Sequence, residues 1–158
     1  MITAHLPSGY VLGASLGLTG TAFAAALIGA VFPDLDLLMF YVIDDRAIHH
    51  HRYWVHAPAF AACVGGALIV CASLWAPVWR WPAIAFTAAW LLHIVLDSIG
   101  GGIMWLWPYS DTLASVIIVP GREGVPWVLA FLTHWSIVFE LMIWAVAAAF
   151  WIRRRQHD

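Results

Sequence analysis

The chain alternates between long apolar runs and short polar blocks. Residues 9–32 (GYVLGASLGLTGTAFAAALIGAVF) and 57–79 (APAFAACVGGALIVCASLWAPVW) carry no charge. Residues 81–99 are largely apolar apart from His93 and Asp97, and residues 125–152 apart from His134 and Glu140. A helix that crosses a bilayer needs roughly 20 mainly apolar residues. The pattern therefore predicts an all-α polytopic membrane protein with four to five transmembrane or membrane-inserted helices. Almost no chain is left over for a soluble domain, so residues 1–158 read as a single membrane-embedded helical domain.

The first run admits two readings. One straight helix over 9–32 would be about 36 Å long at about 1.5 Å per residue, leaving His5 far from Asp34. The segment GLTG at 17–20, however, puts two glycines in mid-run, and each weakens a helix by about 1 kcal/mol. A kink or hairpin there returns His5 to the side of Asp34. The GxxxG spacing of GASLG, residues 13–17, also suits close helix packing in lipid.

Composition agrees with a membrane protein. Of 158 residues, 63% are hydrophobic and only 10% charged, with eleven tryptophans; soluble domains carry about 25% charged residues. All seven basic residues are arginines, three of them at 153–155, and the net charge is −2. No basic stripe exists to bind nucleic acid. No basic residue precedes Arg46, so the charged start of a signal peptide is missing. Cys63 and Cys71 lie eight apart on one predicted helix and read as core thiols.

Threading the runs back and forth brings Pro33–His56, His93–Asp97 and Pro108–Asp111 to one face of the membrane. Arg80 and the arginines at 153–155 fall on the other. The positive-inside rule then places the C-terminus in the cytoplasm of a multi-pass inner-membrane protein and turns the polar blocks outward, by four arginines against Arg46, Arg52 and Arg122.

Those polar blocks hold the candidate chemistry. In FPDLD, residues 32–36, Pro33 ends the helix at the membrane edge, and Asp34 and Asp36 present two nearby carboxylates. They suit a shared cation or, more simply, cap the next helix. The stretch HHHRYWVH packs His49, His50, His51 and His56 around Arg52; histidine is the commonest metal ligand and the usual general base. Arg52 suits an anionic substrate group, which its planar fork binds in two-pronged fashion. In HIVLD, His93 and Asp97 share a helix face at i and i+4 inside an apolar run, where polar groups are costly. Together these blocks offer nitrogen and oxygen donors for one or two divalent ions, zinc first and manganese or iron as alternatives. GGGIMWLWPYSD, residues 100–111, reads as an irregular interfacial stretch with tryptophan anchors. Asp111, His134 and Glu140 form a second tier of candidates.

In order, Thr3–His5, PDLD at 33–36, HRYWVHA at 51–57, HIVLD at 93–97 and WPY at 107–109 resemble the bacterial inner-membrane metal-dependent hydrolases typified by YdjM. The likeness covers residues 1 to about 110. It departs from that pattern at Tyr53, Val55 and Ala57, where glycine, threonine and serine are usual; the hydroxyl lost at Ala57 removes a partner for His56. The resemblance implies a membrane-embedded metal-dependent hydrolase in which His5, Asp34, Asp36, His51, His56, His93 and Asp97 hold metal. Arg52 then binds the substrate anion, and His49 or His50 serves as general acid or base. The site's place at the membrane edge points to a small-molecule or lipid substrate with membrane lipids around it: an amphiphile or a phosphate-bearing ester. Two other readings stay open: a metal- or proton-linked transporter with a relay through His93, Asp97, Glu140 and His134, and a structural membrane protein whose site has decayed.

Overall fold

A computed structural model describes residues 1–156, and among them the chain is helical with no paired strands beyond one isolated bridge between Ile103 and Ala114. The first apolar run is a hairpin. Helix α1 spans His5–Ser15 and α2 spans Gly20–Val31. Gly17 and Gly20 take positive φ, 64° and 54°, in the turn between them, a conformation that costs glycine little. The chain therefore doubles back, and His5 and Asp34 lie at the same end. Of the GxxxG pair, only Gly13 is a packing residue: a Cβ there would come within 2.8 Å of Phe23 on α2.

Pro33 opens a 3-10 turn, Pro33–Leu35, and α3 follows at Asp36–Val42. The axis bends by 52° between α2 and this segment. Proline cannot continue the hydrogen-bond ladder and clashes with the preceding turn. Two short 3-10 turns, His50–Arg52 and Trp54–His56, carry the histidine block, and α4 (Pro58–Trp75) and α5 (Arg80–Gly100) complete the scaffold. The last run is broken. α6 spans Trp127–Leu132 and α7 spans Ile137–Arg155. At the break, His134 Nδ1 is 2.9 Å from Ser136 Oγ and takes up the Ser136 amide at 3.3 Å.

Two helical stretches, Pro58–Trp75 and Pro77–Gly100, are long and apolar enough to cross a membrane, or three if the bent pair of α2 and the segment after it is one span. The four apolar runs thus do not become four full-length spans. α1 and α2 are too short to cross singly, and the final run is interrupted.

α5 is the central helix, packed on α1, α2 and α4. Its contact with α2 is built from Ala26, Ala30, Ala85 and Ala89, with Gly29 directly against the Phe86 backbone. Gly65 of α4 likewise leaves no room for a Cβ beside Thr87. In lipid, where burial drives helices together weakly, small residues that let backbones approach are the main packing device. A second cluster of Tyr53, Val55, Trp90, Ile94 and Ile103 ties the histidine block to α5, and Trp90 Nε1–H donates to the Val55 carbonyl at 2.8 Å. Large apolar side chains such as Leu68, Val70, Leu74 and Trp75 face outward from α4. At the far end, Arg154 donates to the Leu18 carbonyl at 3.0 Å and covers the Phe23 ring. The arginine tail therefore lies at the α1–α2 turn, opposite the end that carries His5.

Candidate metal centre

Asp97 lies at the middle of the convergence. It is on the last turns of α5, 1% exposed, and four histidines from three parts of the chain reach it. His5 Nε2 lies 3.0 Å from Asp97 Oδ1. Asp97 Oδ2 has His93 Nε2 at 3.0 Å, His51 Nε2 at 3.4 Å and His56 Nε2 at 3.5 Å. His93 and His56 are themselves 3.3 Å apart, nitrogen to nitrogen, and the His5 and His93 rings stack at 3.6 Å. His5, His51, His56 and His93 are all buried.

Backbone carbonyls decide which nitrogen of each ring is free. His93 Nδ1 is 2.7 Å from the Ala30 carbonyl, and His51 Nδ1 is 3.0 Å from the Gly102 carbonyl. A carbonyl accepts, so each Nδ1 carries the proton and each Nε2 presents a bare lone pair to the cluster. Gly101 makes room for His51, since a Cβ there would collide with the ring. His56 is held from behind by Asp36, whose Oδ2 lies 2.8 Å from His56 Nδ1, although the approach is off the hydrogen-bond direction. His50 Nδ1 is 3.7 Å from the other oxygen of Asp36.

The unprotonated Nε2 atoms of His51 and His93 should repel Asp97 Oδ2 at these distances, while Asp97 Oδ1 accepts from the Met1 ammonium. Burial makes this worse, because like polarity is weakly screened there. The atoms left without an aligned hydrogen-bond partner include Asp97 Oδ2, both Asp36 oxygens, and Nδ1 of His5, His50 and His56. Buried polar atoms are nearly always satisfied, so such a concentration calls for a specific cause. A cation relieves it, and the donors fit one: nitrogen and oxygen atoms of His50, His51 and His56, of His5, His93 and Asp97, and of Asp34, His56 and His93 form three overlapping sets, each within 4.8 Å.

Electrostatics divide the loop histidines. Burial pushes the His51 pKa down to about 2, which keeps that ring neutral and ready to coordinate. For His56 burial acts in the same direction, but the Asp36 and Asp97 carboxylates outweigh it and raise the pKa to about 9.

Other predicted residues are placed elsewhere. Asp34 is at the rim, its Oδ1 3.8 Å from His93 Nε2. Asp36 is deeper and backs His56, so the Ala57 departure does not strip that ring of its partner. His49 is exposed, and its Nδ1 accepts the His51 amide at 3.2 Å. Arg52 points away from the cluster and pairs on the surface with Asp111, 3.2 Å from Oδ2. His134 is occupied with Ser136. Glu140 is buried against the N-terminal segment and accepts from the Thr3 amide at 2.8 Å. His134 and Glu140 each make these contacts outside the Asp97 cluster. Reading by residue type misses the carbonyls of Ala30 and Gly102, because every residue has one. The three consecutive glycines at 100–102 were the available signal that something approaches the backbone there.

A cavity of 350 Å³ opens beside the cluster. His49, His50 and His51 form its polar wall, and Leu37, Phe40, Val119, Trp127 and Phe131 are among its apolar walls.

Over residues 1–157 the chain matches the family model described as YdjM inner membrane protein. It is also similar to the inner membrane protein YbcI of Escherichia coli (strain K12), 31% identical over an alignment of 153 positions, with 83% of each chain covered. No solved structure matches it.

Proposed function

The chain belongs to the YdjM inner membrane protein family, and from that premise we propose that it is a membrane-embedded metal-dependent hydrolase acting on an amphiphilic ester. The observation that carries this reading is the meeting of three histidine Nε2 atoms at one oxygen of buried Asp97. The bare Nε2 lone pairs of His51 and His93 at that oxygen suit a cation with nitrogen and oxygen ligands.

In this reading His5, His51, His56, His93, Asp97 and Asp34 hold one or two divalent ions, with zinc favoured by the mixed donor set. Asp36 orients His56, in the way that carboxylates commonly back ligand histidines. When bound, the ion supplies a Lewis acid and makes water a nucleophile at neutral pH. His50, whose Nδ1 turns toward Asp36, lies on the cavity wall and serves as the proton-transferring base or acid. His49 lies farther out on the same wall.

The cavity supports an amphiphile. Its histidine wall suits the ester, and its apolar walls suit a hydrocarbon chain. Arg52 reaches a substrate phosphate at the mouth only by leaving Asp111. Arg80 and Arg153–Arg155 lie at the opposite end of the bundle, so the positive-inside rule supports a cytoplasmic C-terminus and an outward-facing site.

The test is metal content followed by turnover. Protein purified in detergent after growth with zinc, manganese and iron is expected to carry about one or two equivalents of one of them, and His93→Ala and Asp97→Ala to carry none. Wild type free of metal after such preparation would overturn the reading. Chromogenic carboxylic and phosphoric esters of increasing chain length then ask for metal-dependent cleavage that improves with chain length. Stoichiometric metal with no cleavage of any ester removes the hydrolase assignment but keeps the metal.

A further inference from the structure

Glu140 is the least expected group in the fold. It is 1% exposed, on α7, in an otherwise apolar run, and among the described residues no cationic side chain or histidine pairs with it. Its carboxylate is fully occupied by the N-terminal segment instead. The amide of Ile2 donates to Oε1, the Thr3 amide donates to Oε2 at 2.8 Å, and the Thr3 hydroxyl donates to Oε2 at 2.6 Å. Trp144, one turn further along α7, donates its Nε1–H to the Thr3 hydroxyl at 3.2 Å.

Two residues beyond this clamp, His5 opens α1 and places Nε2 3.0 Å from Asp97 Oδ1. His5 is the one histidine of the cluster with no carbonyl or carboxylate behind Nδ1. His51, His56 and His93 are each fixed by a partner on the far ring nitrogen. Besides Glu140, the segment before α1 is held by Trp144 on the Thr3 hydroxyl and by the Met1 ammonium on Asp97. Whatever fixes His5 must therefore act through the backbone ahead of it.

We infer that Glu140 is a positioning residue: by clamping Ile2 and Thr3 it sets the start of α1 so that His5 completes the Asp97 cluster from the side opposite the histidine loop. This gives the deep carboxylate a role that needs no charge relay and no contact with metal or substrate. It accounts for the chemistry of the contact too. Three donors converge on one carboxylate, the strong form of hydrogen bonding for buried amides. Without it the partly buried Ile2 and Thr3 amides would lose their carboxylate acceptor, which is costly. The inference rests on the metal reading only for its second readout.

The discriminating pair is Glu140→Gln and Glu140→Ala. A glutamine can place its oxygen where Oε2 stands, accepting from the Thr3 amide and hydroxyl, while its NH₂ takes the place of Oε1 and gives up the Ile2 amide, so the Thr3 half of the clamp survives with the charge removed. Alanine removes it. The first readout is hydrogen exchange of the Thr3 amide in detergent without metal: slow in wild type and Glu140→Gln, and about tenfold or more faster in Glu140→Ala. The second is the affinity for Co²⁺ and its visible absorption spectrum. Glu140→Ala should match His5→Ala in both, the double variant should be no worse than either, and Glu140→Gln should lie between wild type and Glu140→Ala.

The inference is overturned if the Thr3 amide exchanges as fast in Glu140→Gln as in Glu140→Ala. It is also overturned if Thr3 stays protected in Glu140→Ala, or if the His5 and Glu140 effects add. If wild type binds no metal while Thr3 protection follows the expected order, the clamp stands and the hydrolase reading falls.

Discussion

His93 and Asp97, one helical turn apart on α5, face each other across 3.0 Å from Nε2 to Oδ2, while the His93 Nδ1–H is already given to the Ala30 carbonyl at 2.7 Å. An i,i+4 histidine–aspartate pair would ordinarily close as a hydrogen bond. Here the proton is on the wrong side of the ring for that, so the pair opens toward a shared cation.

Asp97→Asn should therefore abolish metal binding with little loss of fold. The amide matches the carboxylate in size but removes the charge on which four rings converge. The loss should exceed the about 10–100-fold cost of removing a mere outer partner. Metal analysis alongside a thermal melt in detergent checks both halves; an Asn variant that keeps its metal would place the ligand elsewhere.

Gly101→Ala tests the seat of His51. Gly101 has φ −130°, which alanine adopts freely, so any effect comes from the Cβ that would strike the His51 ring. Metal affinity is expected to fall about 10–100-fold, as for loss of an orienting contact. Gly66→Ala, at a position where a Cβ meets nothing, is the control and should leave affinity unchanged.

Metal uptake should release a proton from His56. In the metal-free protein its pKa is raised to about 9, so the ring is charged at pH 7 and must lose its proton to coordinate. Affinity should therefore climb about tenfold per pH unit toward that value and then level off. The sign for stability is opposite. His56 pairing stabilises the metal-free fold fully below the ordinary histidine pKa, and that contribution is lost as pH rises through about 9. Calorimetry in buffers of different ionisation enthalpy counts the released proton. No release between pH 6 and 8 would mean that His56 is neutral before metal arrives.

Removing the Arg52–Asp111 pair should barely affect the fold. Both side chains are well exposed, at 40% and 81%, and such pairs contribute about 0–1 kcal/mol. Asp111→Ala should shift the detergent melt only slightly and leave metal content intact. If Arg52 receives a substrate phosphate, the same change lowers KM for phosphate esters but not for uncharged ones, because the guanidinium no longer has to leave a partner.

The apolar runs and polar blocks of the sequence were enough to specify a helical membrane protein with Asp34, His51, His56, His93 and Asp97 at one end. Hydrophobic length and the turn-around of helices in a bilayer are local properties, and they bring polar blocks to a common face whatever the details of packing. Tertiary structure decided the rest. The first run could be a helix or a hairpin until Gly17 and Gly20 adopted positive φ, and only the hairpin brings His5 to Asp97. Residue type named the histidines but not the free nitrogen of each ring. That depends on the carbonyls of Ala30 and Gly102, which lie 63 and 51 positions away from His93 and His51. Arg52 stands beside His51 in the chain yet turns outward to Asp111, and Glu140 reaches back 137 positions to Thr3. Such long-range pairings are selected by packing and by the need to satisfy every buried polar group, and no spacing along the chain records them.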